Sequence, residues 1–165
     1  MDAVIEGAGV AKMTLYRNFA SKEELALAFL ERREELWTQG WLQNEVEKRG
    51  SDPAERLLAI FDIFGEWFQR KDFEGCAFVT IMLELDDRSD PVRRASVRHL
   101  ANIRAFIAGL AAAAGVPDAD AFARQWHILM KGSIVAAAEG DTQAAARAKE
   151  LGSLLLADRG AAIPG

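Results

Sequence analysis

Cysteine is almost absent, with Cys76 the only one in 165 residues. An internal disulfide framework is therefore excluded, and a lone thiol fits a reducing cytoplasm. With no basic side chain beside it in sequence, Cys76 reads as a buried, inert thiol rather than a redox sensor. Histidine is nearly as scarce. Neither His99 nor His127 has a cysteine, histidine or carboxylate at metal-ligand spacing, so no metal site is expected. Asp86, Asp87 and Asp90 lack the spacing of a calcium loop and read as a solvated turn. There is no G-x-S-x-G, no glycine-rich phosphate loop and no nucleophile–base pair, which argues against an enzyme and leaves no cofactor to expect. No apolar run approaches the roughly 18 residues of a membrane span, and no signal-peptide pattern opens the chain. A cytoplasmic protein with no membrane partner is the expectation. Positive charge is also short. Twenty Lys and Arg against 25 Asp and Glu give a net charge of −5, a poor match to a general polyanion binder.

Half of the residues are hydrophobic, enough for a sizeable core, and they recur at helical spacing. Ser21-Lys22-Glu23-Glu24 has the form of a capping box, with Ser21 at the N-cap and Glu24 at N3. It opens a long helix carrying Leu25, Phe29, Leu36, Trp37, Trp41 and Leu42. That helix runs to about Lys48, with a bend expected at Gly40 and a stop at Gly50, which suits the residue after a helix C-terminus. The run Glu31-Arg32-Arg33-Glu34-Glu35 reads as a solvated face. Asp52-Pro53 and Asp90-Pro91 each pair an N-cap with a proline at N1. Leu57, Ile60, Phe61, Phe64, Trp67 and Phe68 form one wide apolar stripe. The stretch 75–85 mixes strand-like Phe-Val-Thr-Ile with helix-like Met-Leu-Glu-Leu. No second strand exists for it to pair with, so a buried helix is expected. Further helices follow from Asp90 to the alanines before Gly115, from Pro117 to about Ala138, and after Gly140-Asp141, with Asp141 as a fresh N-cap. The chain is therefore all-α.

The first residues have a different character. Val4 and Ile5 are the apolar positions of a short helix. Ala8-Gly9-Val10 is a turn in which Gly9 can take a positive φ at no steric cost. Ala11 to Arg17 form a second short helix, with Leu15 inward and Lys12, Met13, Thr14 and Tyr16 outward. Two helices joined by such a turn make a helix-turn-helix, whose second helix enters the DNA major groove. Residues 1–22 carry Lys12, Arg17 and Lys22 against Asp2 and Glu6, a weakly positive end on an acidic body.

The run A-G-V-x-x-x-T-x-Y-x-x-F-x-S-K-E-x-L, from Ala8 to Leu25, resembles the tetracycline-repressor (TetR) family of bacterial regulators. Ile5 also fits the pattern. Gly7 within the first helix, Ala11 in place of Ser or Thr, and Asn18 in place of His depart from it. The resemblance implies a partial DNA-binding head over residues 1–20 and a helical ligand-binding and dimerisation body over 21–160. Eight helices would stand where the family has nine, because the first helix of the head is expected to be missing ahead of Met1. It implies operator contacts through Lys12, Met13, Thr14, Tyr16, Asn18 and Lys22. It also implies a ligand cavity lined by Trp37, Trp41, Phe61, Phe64, Trp67, Phe78, Met82, Phe106, Trp126 and Met130, with polar groups from Asn102, Arg104, Gln125 and His127. Its unknown occupant is a small, apolar effector.

The last two helices carry apolar residues on more than one face. Phe122, Trp126, Leu129 and Met130 can point inward, leaving Ile128, Ile134, Val135, Leu151, Leu154 and Leu155 for a second copy of the chain. A homodimer through a four-helix bundle follows, which is also what the resemblance implies. The expected function is thus a repressor released from operator DNA by an effector. The alternative is a helical ligand-binding or dimerisation module that does not bind DNA.

Overall fold

The computed structural model describes Gly7, Gly9 and residues 12–159. Val4, Ile5, Ala8, Val10 and Ala11 of the expected head lie outside the described residues. Among the described residues every regular element is helical. In chain order these are α1 (Lys12–Asn18), α2 (Lys22–Arg33), a π-helical segment (Glu34–Gln43), α3 (Asn44–Arg49), α4 (Pro53–Phe68), α5 (Ala77–Glu84), α6 (Pro91–Ala113), α7 (Ala119–Ala138) and α8 (Ala144–Asp158).

The caps explain most boundaries. The Ser21 hydroxyl accepts from the Glu24 N–H at 3.0 Å, and Glu24 reaches back to the Ala20 N–H at 2.7 Å. Asp52 accepts from the N–H groups of Ala54 and Glu55, and Asp90 from those of Val92 and Arg93. In both cases proline fills the first helical position, where a missing N–H costs nothing. Asp141 departs from expectation. A turn intervenes before α8, so Gln143 takes the N-cap position, and the Asp141 carboxylate instead accepts from the Gln143 N–H and from Arg147 Nε.

α2, the π segment and α3 form one continuous rod, since the joining residues keep right-handed helical dihedrals. Its fully buried residues are Leu30, Glu34, Thr38, Leu42 and Val46, one in every four. An α-helix turns about 100° per residue, so a four-residue repeat drifts by about 40° per step and leaves one side of the rod after a few steps. Widening the turns to i→i+5 bonding corrects that drift and keeps the stripe on the body. Gly40, where a bend is expected, lies within this segment. A Cβ at Gly40 would lie 2.8 Å from the Glu35 carbonyl oxygen, so the wide turn tolerates only glycine there without adjustment. Glu34 corrects the expectation of a solvated charged run: it is buried, while Phe29 and Leu36, expected inside, are exposed.

Gly50 is a glycine for a reason other than handedness. Its backbone is extended (φ −111°), and a Cβ would fall 2.5 Å from the Arg56 backbone nitrogen. The chain turns back so closely that α4 packs along α3. α4 is the centre of the body. It carries Leu57, Ile60, Phe61, Ile63 and Phe64 into a core shared with Leu100, Ile103 and Ile107 of α6, Phe122, Trp126 and Met130 of α7, and Leu156 of α8. α5 is helical as expected but not buried. Only Phe78 is enclosed and Leu83 is exposed, because α5 packs chiefly on α6, with Arg93 donating to the carbonyls of Met82 and Leu85.

The approach of α8 to α7 depends on Gly152. A Cβ there would come within 2.8 Å of Trp126 Cη2 and 3.1 Å of the Phe61 ring, both fully buried. Gly152→Ala should destabilise the protein by about 1–3 kcal/mol through overpacking, despite the helix propensity gained. A urea unfolding midpoint equal to or above that of the parent protein would show that the two rings can yield.

Candidate DNA-binding head and ligand cleft

α1 is too short to be stable alone and is held by Leu15, the one buried side chain among its described residues. Gly9 adopts φ 63°, the left-handed value that a turn ahead of α1 requires and glycine permits. Met13 is 74% and Tyr16 46% exposed, and Thr14, Asn18 and Lys22 are exposed as well. The side chain of Lys12 lies outside the described residues. Asn18 donates from its side-chain amide to the Thr14 carbonyl at 2.8 Å, closing the end of α1. Five of the six residues expected on DNA are thus exposed, four on α1 and Lys22 at the start of α2.

The ten residues expected around a cavity do not surround a single one. Trp37, Trp41, Phe64 and Trp67 form one aromatic group, with ring centroids 5.1–6.3 Å apart. Phe61 and Trp126 belong to a second, close-packed group with Phe122 between α4, α7 and α8. Phe78 is stacked on His99 at 5.1 Å. Met130 is a core residue, while Met82 and Phe106 are half-buried at its margin.

The first group opens on a cleft of about 310 Å³ lined by Arg33, Leu36, Trp37, Trp41, Trp67, Arg70 and Asp72. Arg33, Trp37 and Trp41 follow the same four-residue spacing as the buried stripe, so the wide turns of the rod also align this row opposite Trp67 at the end of α4. Arg70 is committed to Asp72, with Nε donating to Oδ1 at 2.8 Å and Nη2 to Oδ2 at 2.7 Å. That pairing holds the Asp72 carboxyl below the usual carboxylate range. Trp37 Nε1–H is buried with no hydrogen-bond partner among the described residues. The arginines escaped the sequence reasoning because Arg33 sits in a charged run and Arg70 in a loop.

None of the polar groups expected in the cavity reaches this cleft. Asn102 Nδ2 donates to Glu34 Oε1 at 3.2 Å, and the Gln125 side-chain oxygen accepts from Arg159 Nη2. His99 Nδ1 lies 3.4 Å from Glu34 Oε2, so a buried polar cluster joins the start of the π segment to α6. His127 is enclosed near Lys131 and Arg104, and Arg104 is half-buried on α6. Burial pushes the Cys76 thiol up, away from its reactive thiolate form.

On the last two helices, Val135 of α7 and Leu151 and Leu154 of α8 are 53%, 52% and 63% exposed, and Ile128 and Leu151 line one groove. Leu155 is half-buried against the core. Ile134, expected on the partner face, is buried in the subunit's own core, since it lies one residue round α7 from Val135 and so faces inward. Among the described residues no three metal-ligating side chains converge, and no helix is long and apolar enough to cross a membrane.

A short exposed helix behind a glycine turn, carried on a helical rod into an all-helical body, defines the class of helix-turn-helix transcriptional regulators. Residues 53–151 match the family described as tetracyclin repressor-like, C-terminal domain, and residues 1–29 match the bacterial regulatory proteins of the tetR family. The chain therefore belongs to the TetR family of transcriptional regulators, whose members bind operator DNA and form dimers. Solved structures agree in fold. SCO4454, a TetR-family transcriptional regulator from Streptomyces coelicolor, superposes with a TM-score of 0.83 at 24% identity, over 96% of this chain and 83% of that one. The sav143 protein of Streptomyces avermitilis, described as a TetR-type transcriptional regulator, gives 0.81 at 28% identity over 98% and 87%. The reduced form of NemR from E. coli gives 0.81 at 20% identity over 93% and 84%. No curated protein sequence matches the chain significantly.

Proposed function

We propose that this protein is a cytoplasmic repressor whose hold on operator DNA is relieved by a small molecule bound in the body. Residues 1–20 act as the head and 21–160 as the body. The observation that carries this is the rod: its N-terminal end follows α1 directly, and its π segment supplies Leu36, Trp37 and Trp41 to the cleft. A ligand held by that row favours the register in which the row is aligned. Reversion of the wide turns to α-helical ones would fan the row apart and rotate everything on the N-terminal side. Ligand occupancy and head orientation are therefore linked, and the linkage must act in both directions.

In a two-fold dimer the two copies of α1 would reach successive major grooves, about 34 Å apart. Met13, Thr14 and Tyr16 would face bases or nearby phosphates, with Lys12, Asn18 and Lys22 alongside. Selection from a random duplex pool should enrich a palindrome with half-sites one helical turn apart. On that site Tyr16→Ala should weaken binding by roughly 1–3 kcal/mol if the phenol reads a base, and across all sequences alike if it touches phosphate. A pool that shows no enrichment over bulk DNA would defeat the repressor reading in favour of a ligand-binding or dimerisation module.

A further inference from the structure

We propose that the Trp37–Trp41–Trp67 cleft takes a planar aromatic anion, such as an arene carboxylate of one or two fused rings, with Arg33 as the group that pairs with its charge. This rests on the cleft being the ligand site and narrows the apolar effector expected from the aromatic content alone. At about 310 Å³ the cleft is at the lower end of small-molecule sites. Its walls are indole rings set at 53–65° to one another, which present both faces and edges to a flat guest.

Charge decides the class. Arg70 and Asp72 neutralise each other through two hydrogen bonds. Arg33 lines the same cleft, half-buried, and has no hydrogen bond or ion pair among the described residues. Arg33 also acts on Asp72 through space, so two guanidinium groups share one carboxylate and the cleft keeps one net positive charge beside an aromatic wall, on a chain whose net charge is −5. A guanidinium binds a carboxylate through two parallel N–H donors, a geometry that a neutral or cationic guest cannot use. Trp37, which lines the cleft, also carries a buried Nε1–H with no hydrogen-bond partner among the described residues. A second polar atom on the guest, or a carboxylate oxygen turned inward, would satisfy it.

Calorimetric titration of the full chain with 2-naphthoate, and with the isosteric neutral 2-naphthamide, tests this. The acid should bind at least tenfold more tightly than the amide. Arg33→Gln, at a half-exposed position that should not threaten folding, should bring the acid down to the affinity of the amide and leave the amide unchanged. Acid and amide binding equally, with both lost in Trp41→Leu, would keep the cleft as the ligand site and overturn the anion. No binding of either compound at millimolar concentration, or binding indifferent to both substitutions, would overturn the anion and the cleft together.

Discussion

Leu154→Glu should convert the protein from a particle of twice the 18.1 kDa chain mass to a monomer or an aggregate at micromolar concentration. Val135, Leu151 and Leu154 are more than half exposed although each is large and apolar, and they occupy one face of the α7–α8 pair. A shallow groove of about 270 Å³ runs between these helices past Ile128, Gly132, Ala136 and Leu151, with small residues on its floor. Small floor residues allow a second helix pair to approach closely. Burying a leucine contributes about 1.5–3 kcal/mol, and a two-fold axis presents each one twice. A glutamate at position 154 would bring two like charges into that seam, at a cost greater than the leucines gain, because the groove's Arg147 is already paired with Asp141. Leu151→Glu should act in the same way. Ile134→Val, by contrast, should cost only about 0.5–1.5 kcal/mol of subunit stability and leave the mass alone, because Ile134 fills its own subunit's core. Light scattering decides: a mass near 18.1 kDa for the parent protein would refute the dimer, and an unchanged dimer in both glutamate variants would mean that the seam lies elsewhere.

Local caps and apolar stripes are legible in the sequence wherever a position's chemistry matches its burial. Asp52-Pro53, Asp90-Pro91 and Ser21-Lys22-Glu23-Glu24 are local signals, and each cap is where it was expected. The α4 stripe was equally plain, since every inward position is apolar. The rod was not. Its buried stripe contains Glu34 and Thr38, so hydrophobic periodicity broke there, and the four-residue repeat that requires wide turns went unseen. Gly40 was noticed, but its meaning needs the Glu35 carbonyl beside it. The ligand residues failed differently. Aromatic content identified the right kinds of side chain, yet only the tertiary fold separates the half-buried Trp37 and Trp41, which with Trp67 line the cleft, from Phe61 and Trp126, which close on Gly152. Ile134 and Val135 show the same limit at single-residue scale: adjacent β-branched residues on α7 face the core and the surface respectively.

Acid should destabilise the fold through His127 well before the carboxylates titrate. Its imidazole is almost fully enclosed in α7, its Nδ1 has no hydrogen-bond partner, and the positive charges of Lys131 and Arg104 face it. Burial first, and then those two cations, push its pKa from the ordinary 6.5 down to about 3. The folded protein therefore keeps the ring neutral, whereas the unfolded chain takes up a proton near pH 6.5. Between those two values the unfolded state binds the extra proton, so stability falls as the pH falls. The contribution is intact above pH 6.5, and its loss steepens to about 1.4 kcal/mol per pH unit below that value. From pH 7 to pH 5 the loss amounts to about 2 kcal/mol, a large share of the stability of an ordinary domain. Restricting the range to pH 5 and above keeps the contribution of most carboxylates small. Urea unfolding at fixed protein concentration, repeated across this range for the parent chain and for His127→Leu, isolates the ring. The variant should lose most of the slope whatever its absolute stability. Parallel slopes in the two proteins would show that His127 is protonated in the fold, with Lys131 or Arg104 moved aside to accommodate it.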